Sequence, residues 1–248
     1  MTRGVLVSVG RWAKAICKVS NAKHSNSYGR MAVRDRYSDI KARLATESPI
    51  IVDGGANNGS TINLFLQQYR SPVIHAYEPI PELARVLEQK FSERSNVKVY
   101  GLALGAENKT VSFNVVNNLV SSSILVPSDL NKRLHGEKMD IRNVVDVPQI
   151  RLEESLADSP EIDLLKLDLQ GYELEALKGC GKLLQRIKII TTEIEFVSLY
   201  DGQPLFGDID VFLRSNGFQM LNLYELYTHP DGQLTAGDAV YLNSKYFQ

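Results

Sequence analysis

The stretch IIVDGGANNGSTINLF, followed by HAYEPIPEL, is the part of this 248-residue chain that most constrains its fold. Residues 50–52 form a β-branched apolar run, and the glycines that follow Asp53 allow a tight turn in which the backbone can approach a ligand closely. Ser60 or Thr61 is placed to cap a helix whose free N–H groups would face that ligand. A second predicted strand, over 73–77, ends just before Glu78. The separation of Glu78 from Asp53 along the chain is close to the roughly 20 residues at which an acid binds ribose hydroxyls. The pattern predicts a bound nucleoside.

The glycine loop also indicates which nucleoside is bound. GGANNG does not match the dinucleotide pattern G-x-G-x-x-G, and it lacks the lysine that a phosphate-binding loop needs before its Ser or Thr. Asp53 would repel a pyrophosphate, whereas S-adenosylmethionine carries a cationic sulfonium and an ammonium group that a carboxylate stabilises. The spacing of Asp53, Gly55 and Gly59 resembles the first sequence motif of methyltransferases. The simpler alternative is an unrelated α/β turn that contains three glycines.

A further strand and turn, EIDLLKLDLQGYELEALKG, places Asp168 at the end of a predicted strand over 163–167. Ligands bind at the carboxyl ends of parallel strands, so Asp168 is expected to converge with Asp53 and Glu78 on one crevice. KLDLQGYELEALKG resembles the K-[IL]-D-[VL]-E-G-x-E-x-x-x-L-x-G signature of the FkbM methyltransferase family. VDGGANNG, YEP, GLALG and GDAVYLN stand in the order expected there, so the resemblance spans roughly residues 48 to 243.

The resemblance implies a class I (Rossmann-like) methyltransferase fold of α/β type. Its sheet would be seven-stranded and mostly parallel, with an antiparallel edge strand and with helices on both faces. The resemblance implies S-adenosyl-L-methionine as cofactor and a hydroxyl of a sugar or natural-product scaffold as methyl acceptor. No N-P-P-[YF] motif follows a predicted strand, which disfavours methylation of a planar amino nitrogen. The predicted cofactor-binding residues are Asp53, Gly54, Gly55, Asn57, Gly59, Glu78, Pro79, Leu102, Ala103 and Asp168.

Gln170 stands where the family usually has glutamate. A neutral amide cannot act as an acid or neutralise a cation, so the catalytic base is assigned to Asp168. A carboxylate is a weak base toward a sugar hydroxyl, and either a dry pocket or a divalent cation such as Mg²⁺ would help it. Glu193 and Glu195 share one face of a predicted strand and could bind that cation together with Asp168. A salt-bridged sheet end accounts for the two glutamates equally well.

Two other functions remain open at the level of sequence. A nicotinamide-dependent oxidoreductase would also place an acid after the second strand, but it should keep G-x-G-x-x-G. A non-catalytic S-adenosylmethionine-binding protein would keep the cofactor residues and lose the acceptor site, and Gln170 is a small argument for it. His135 and His229 are further candidates for a general base, although a solvated role is more common for loop histidines. Cys180 is interpreted as structural because no activating base adjoins it.

The chain is predicted to consist of a basic helical arm over residues 1–47 and a methyltransferase domain over residues 48–248. Residues 1–34 carry seven basic residues and no acidic one. Residues 1–20 place apolar and basic residues on opposite sides of a predicted helix. This pattern is typical of a helix on an anionic membrane surface. The favoured interpretation is a helix packed on the domain or on a second subunit. Within the domain, residues 118–148 lack clean periodicity and are interpreted as an acceptor-side insertion.

Bulk properties narrow the function classes further. A net charge of −1 with 23% charged residues argues against disorder and against a nucleic-acid partner. Two cysteines are too few for a disulfide framework, so a cytoplasmic location is expected, with residues 1–20 as the candidate peripheral membrane contact. No apolar run approaches the length of roughly 18 residues that a transmembrane helix needs. The expected partner is a small-molecule or glycan hydroxyl acceptor, and a homo-oligomer is left open.

Overall fold

The computed structural model describes residues 35–159 and 161–247, whose strands form two sheets. In chain order the strands are β1 (Ile50–Gly54), β2 (Val73–Tyr77), β3 (Val97–Tyr100), β4 (Ala103–Leu104), β5 (Lys109–Val116), β6 (Ile141–Ile150), β7 (Ile162–Leu167), β8 (Ile187–Glu195), β9 (Phe218–Thr228) and β10 (Leu234–Asn243). The helices are α1 (Arg36–Leu44), α2 (Ser60–Gln68), α3 (Pro81–Lys90), α4 (Asp129–His135), α5 (Leu152–Ser155), α6 (Glu173–Gly179) and α7 (Phe206–Ser215).

The main sheet has seven strands in the order β3-β2-β1-β7-β8-β10-β9 within the described residues. Adjacent strands in this spatial order are parallel from β3 as far as β8, and β10 pairs antiparallel with both β8 and β9. The class I fold expected from the sequence is therefore present. The antiparallel strand lies one position inside the edge, because β9 and β10 form a hairpin whose second strand inserts beside β8. Edge strand β9 consequently runs in the same direction as the parallel strands.

Helices cover both faces of this sheet, as expected. Side chains alternate between faces along each strand, so Val52 and Leu165 pack with α5, α6 and α7. Their neighbours Ile51 and Leu164 pack with α1, α2 and α3 on the other face. Strands buried on both faces become continuous apolar runs, which is why β1, β7 and β8 were predictable.

A smaller sheet in the order β4-β6-β5 flanks the carboxyl ends of the main strands. Its strand β6 begins within residues 118–148, which were expected to be an irregular insertion, and that expectation is wrong for residues 141–148. Strand β6 pairs with β5 from Ile141 to Gln149, and α4 adds a helix earlier in the segment. Most of β6 is exposed, so it lacks the apolar alternation that marks a strand in sequence, and Pro148 weakens the signal further.

Helix α1 belongs to the folded domain, although the sequence assigned it to an arm ending at residue 47. Tyr37 and Ile40 are buried in the core on the α2 and α3 face, and the Tyr224 hydroxyl donates to the carboxylate of Asp39. The chain from residue 35 onward forms one compact unit. The remainder of the predicted arm, including the candidate membrane contact at residues 1–20, lies outside the described residues. Among the helices that are described, none is long and apolar enough to cross a membrane.

Candidate active site

A cavity opens where β1, β2 and β7 end, at the edge predicted to hold the ligand. The glycine loop after β1, Glu78 after β2 and Asp168 after β7 all line this cavity. Of the predicted cofactor-binding residues, those that line it are Gly55, Asn57, Glu78, Pro79, Leu102, Ala103 and Asp168. The second sheet and the loop after β5 add a wall formed by Phe113, Leu119, Val120, Ser122 and Ile124. The predicted strand ends therefore line one crevice. The additional wall comes from a segment in which the sequence shows no recognisable motif.

The carboxylate of Glu78 is held by two backbone N–H groups. Asn57 N–H donates to Oε2 at 2.8 Å, and Ile80 N–H donates to Oε1 at 2.9 Å. Burial raises the pKa of Glu78, and these two donors oppose the rise by stabilising the charged form. Each carboxylate oxygen keeps a second lone pair, so Glu78 is oriented to accept two more hydrogen bonds from a ligand.

Three glycines of the loop have different roles. Gly55 adopts φ of +75°, and a Cβ there would collide with the carbonyl oxygen of Asp168, so no side chain fits between the loop and β7. Gly54 and Gly59 do not line the cavity: a Cβ at Gly59 would meet Leu87 and Phe91 of the neighbouring helix. Glycine is needed at Gly54 because of packing against Leu167 and Leu104, and at Gly59 because of both packing and its φ of +75°.

The expected side-chain cap of α2 is replaced by another arrangement. Gly59 occupies the N-cap position at φ +75° and makes no side-chain hydrogen bond, whereas Ser60 and Thr61 lie within the helix. The side chain of Asn58 accepts from Ser60 N–H at 2.9 Å. Ser60 and Thr61 line the cavity, so the N-terminus of α2 still points its backbone donors and the positive end of its dipole toward the ligand site.

Asp53 was expected to face the cofactor, and the structure gives it another partner. Its side chain is 0% exposed and its Oδ1 lies 3.0 Å from Nζ of Lys166, a lysine in the middle of the apolar strand β7. Lys166 Nζ also donates to the carbonyl oxygens of Gly54 and Gly55, and Lys166 itself lines the cavity. Burial acts to lower the pKa of Lys166, but the carboxylates of Asp53 and Asp168 outweigh it and raise that pKa. Asp53 therefore fixes a buried cation under the glycine turn, a role that sequence reasoning missed.

Asp168, the predicted base, is the carboxylate that remains accessible. Its side chain is 44% exposed and lies 3.9 Å from Lys166 Nζ. The side chain of Gln170 donates to Oδ1 of Asp168 at 3.0 Å. A hydroxyl group that enters the cavity can therefore reach this carboxylate, while Lys166 and Gln170 hold it from the protein side.

The cation site suggested for Asp168, Glu193 and Glu195 does not form. Within the described residues, no group of three or more His, Cys, Asp or Glu side chains is arranged to hold a metal ion. The Gln170 amide donates to two of the proposed ligands, to Glu193 Oε2 at 2.7 Å and to Asp168 Oδ1 at 3.0 Å. Burial, followed by the neighbouring carboxylates, raises the pKa of Glu193 well above its ordinary value. A raised pKa disfavours the ionised form of the carboxyl group, which is the form that a cation would need.

The remaining candidates lie away from the cavity. His135 ends α4 in an exposed position, and His229 Nδ1 lies 3.0 Å from a carboxylate oxygen of Asp231; neither lines the cavity. Cys180 is buried, its thiol contacts the carbonyl oxygen of Ala176, and burial raises its pKa to about 12. Such a thiol is not ionised near neutral pH, as expected for a structural cysteine.

The fold and this site are those of a class I methyltransferase, an enzyme that depends on S-adenosylmethionine. The model of the Methyltransferase FkbM domain matches residues 53–220, and the chain belongs to that family. Membership removes the alternative of a nicotinamide-dependent oxidoreductase.

Relatives and one solved structure agree with this assignment. A relative named 2-O-methyltransferase NoeI, from Sinorhizobium fredii, is 25% identical over 221 residues, which cover 83% of this chain and 90% of the relative. Methyltransferase sdnD from Sordaria araneosa is 29% identical over 198 residues, covering 70% and 74%. The crystal structure of a methyltransferase FkbM from Methylobacillus flagellatus superposes with a TM-score of 0.52 at 15% identity. That match covers 79% of this chain and 44% of the other, and it shows the fold alone.

Glu78→Ala is expected to weaken S-adenosylmethionine binding by about 1.5 to 3 kcal/mol, the range for hydrogen bonds to a charged group. The physical reason is that Glu78 is the buried carboxylate whose free lone pairs face the cavity. Isothermal titration calorimetry measures the change, with Glu82→Ala on the exposed face of α3 as the matched control. Equal affinity in the two variants would show that Glu78 does not bind the cofactor.

Proposed function

We propose that this enzyme is an O-methyltransferase that acts on a hydroxyl of an uncharged sugar-bearing or other natural-product scaffold. The observation that carries the proposal is the accessible Asp168 carboxylate in a cavity whose outer wall is apolar. The name of the relative NoeI, a 2-O-methyltransferase, supports oxygen as the acceptor atom.

The residues of the cavity fit S-adenosylmethionine. Glu78 would accept hydrogen bonds from the ribose hydroxyls, and the backbone N–H groups at the start of α2 would face the cofactor carboxylate. Leu102 and Ala103, beside Pro79, would contact the adenine. When bound, the cofactor supplies a methyl group already activated on a sulfonium. The protein therefore has to bind the acceptor, align it and accept its proton.

Asp168 would accept the proton of the acceptor hydroxyl as its oxygen becomes the nucleophile. Lys166 cannot take this role, because Asp53 and two backbone carbonyl groups already bind its charged ammonium. Its Nζ lies 3.9 Å from Oδ2 of Asp168, so its charge adjoins the assigned base without being free to act as one. The base and this cation thus come from the same strand end, two residues apart.

The cavity wall limits the class of acceptor. The charged residues among its described lining are Glu78, Lys166 and Asp168, and only Lys166 is a cation. Because that cation is already paired, no cationic side chain of the described lining is free to bind a phosphate, sulfate or carboxylate on the acceptor. Leu119 and Val120 are large apolar side chains that remain 36% and 55% exposed at this wall. An acceptor with an apolar body would bury these side chains.

A small panel of acceptors tests the proposal: octyl glucoside, glucose, glucose 6-phosphate and octylamine, each with radiolabelled S-adenosylmethionine. We expect methylated octyl glucoside to form with kcat/KM at least about tenfold above glucose, since its chain can bury several methylene groups at about 0.8 kcal/mol each. Glucose 6-phosphate and octylamine should accept no label above background. Mass spectrometry of the product identifies the methylated atom. Preferential labelling of the amine or of the sugar phosphate would contradict the proposal.

A further inference from the structure

The side chain of Gln170 makes hydrogen bonds in three directions. Its Nε2 group donates to Asp168 Oδ1 at 3.0 Å and to Glu193 Oε2 at 2.7 Å. Its Oε1 accepts from the Tyr200 hydroxyl at 2.8 Å. Both N–H bonds of the amide are used, one on each carboxyl group, and the opposite orientation would point the amide oxygen at two carboxyl groups.

The backbone around Gln170 is fixed as firmly as its side chain. Gln170 adopts φ of +56°, a left-handed conformation. This conformation costs energy for a residue with a side chain, and it persists only where surrounding contacts hold it. The hydroxyl of Ser123 donates to the Gln170 carbonyl oxygen at 2.8 Å, and the Tyr200 hydroxyl also reaches the carbonyl oxygen of Ser121 at 2.8 Å. The loop after β5, which forms the apolar wall, is thereby joined to the strand end that carries Asp168.

The groups around this amide are mostly acidic. Asp168 and Glu193 contact it directly, Glu173 and Glu195 lie behind them, and Lys166 is the cation on the cavity side. Burial first, and then the neighbouring carboxylates, raise the pKa of Glu195, and burial raises the pKa of Glu173 to about 7. A glutamate at position 170 would bring one more carboxylate into contact with this group.

We propose that Gln170 is a positioning residue, whose amide holds the Asp168 carboxylate at the cavity wall by linking it to the buried carboxyl group of Glu193. The proposal rests on the assignment of Asp168 as the base in the proposed function. The neutral amide supplies two N–H donors where a carboxylate would supply none, so it satisfies both acidic partners without adding charge. The Tyr200 hydroxyl contacts the oxygen end of the same amide at 2.8 Å.

Two substitutions with the wild-type chain as reference separate this role from a purely structural one. Gln170→Leu removes both donors, and we expect kcat for octyl glucoside to fall about tenfold or more at every pH, with little change in the KM for S-adenosylmethionine. In Gln170→Glu, the introduced carboxyl group can again donate a hydrogen bond when it is protonated, whereas its ionised form repels Asp168. The activity of this variant relative to wild type should therefore be highest at low pH and fall as pH rises. Equal defects in both variants across the pH range would overturn the proposal.

A second readout needs no acceptor. The ¹³C resonance of the Glu193 carboxyl group, identified by its loss in Glu193→Gln, reports its titration in the full chain with sinefungin bound. Loss of an N–H donor disfavours the ionised form, and an added carboxylate disfavours it more, so the midpoint should rise from wild type to Gln170→Leu to Gln170→Glu. An unchanged midpoint means that the amide does not link the two groups, even if methyl transfer is found. The expected order without any methyl transfer would instead leave the link intact and refute the proposed acceptor chemistry.

Discussion

Asp168→Asn is expected to lower turnover by about 100-fold or more, the scale of a lost general base. The side chain keeps its shape, and its amide oxygen can still accept from Gln170, but it can no longer take a proton from an acceptor hydroxyl. Cofactor affinity should change far less, because Glu78 and the glycine loop form the cofactor side of the cavity. Single-turnover methyl transfer and calorimetry with S-adenosylmethionine measure the two quantities.

The matched control is Asp201→Asn, a substitution at an exposed aspartate that does not line the cavity. It should leave both turnover and cofactor affinity at the wild-type level. An Asp168→Asn enzyme with wild-type turnover would rule out the assigned base, and Glu193 would then be the next carboxyl group to test. A large loss of cofactor affinity would instead place Asp168 among the cofactor-binding residues and leave the base unidentified.

Lys166→Met is expected to destabilise the folded protein by about 3 to 5 kcal/mol, the cost of leaving a buried charge without its partner. Methionine retains the length of the side chain, but Asp53 is 0% exposed and would lose the ammonium group 3.0 Å from its carboxylate. The carbonyl oxygens of Gly54 and Gly55 would lose a donor as well. Urea unfolding followed by circular dichroism measures the free energy of unfolding.

Two further variants show whether the ion pair is the cause. Lys98→Met replaces an exposed lysine of β3 and should change the free energy of unfolding by less than about 0.5 kcal/mol. The double variant Asp53→Asn with Lys166→Met removes both charges, so it should be more stable than Lys166→Met alone. If the double variant is no more stable than the single one, the loss comes from packing around position 166 and not from an unpaired Asp53.

The fold was predictable to the extent that each strand carries its own signal. Strands β1, β7 and β8 are buried on both faces, and their short apolar runs, which polar residues interrupt in β7 and β8, were predicted correctly as strands. Strand β6 was missed because it is mostly exposed, and its pairing with β5 supplies the backbone hydrogen bonds that define it. An exposed strand is defined by the backbone hydrogen bonds to its partner strand and not by a pattern of apolar residues, and the sequence does not identify that partner.

The residues of the site were likewise predictable only where a local sequence signal marks them. Gly55, Glu78 and Asp168 were predicted because each follows a recognisable strand, and strand ends of a parallel sheet converge wherever the sheet forms. Asp53 was also found, but its role was predicted wrongly. It lies opposite Lys166 in the register of β1 with β7, so its charge is matched by a residue far away in the sequence.

The family, the cofactor class and the strand ends that line the cavity were predictable from the sequence alone, because short contiguous motifs mark each of them. The tertiary structure places Lys166 against Asp53, and it places the Gln170 amide on both Asp168 and Glu193. It also decided that the second sheet closes the cavity with apolar side chains. The physical reason is that the energy of a buried charge depends on the groups within a few ångströms of it, and these come from strands and loops that meet only when the chain folds.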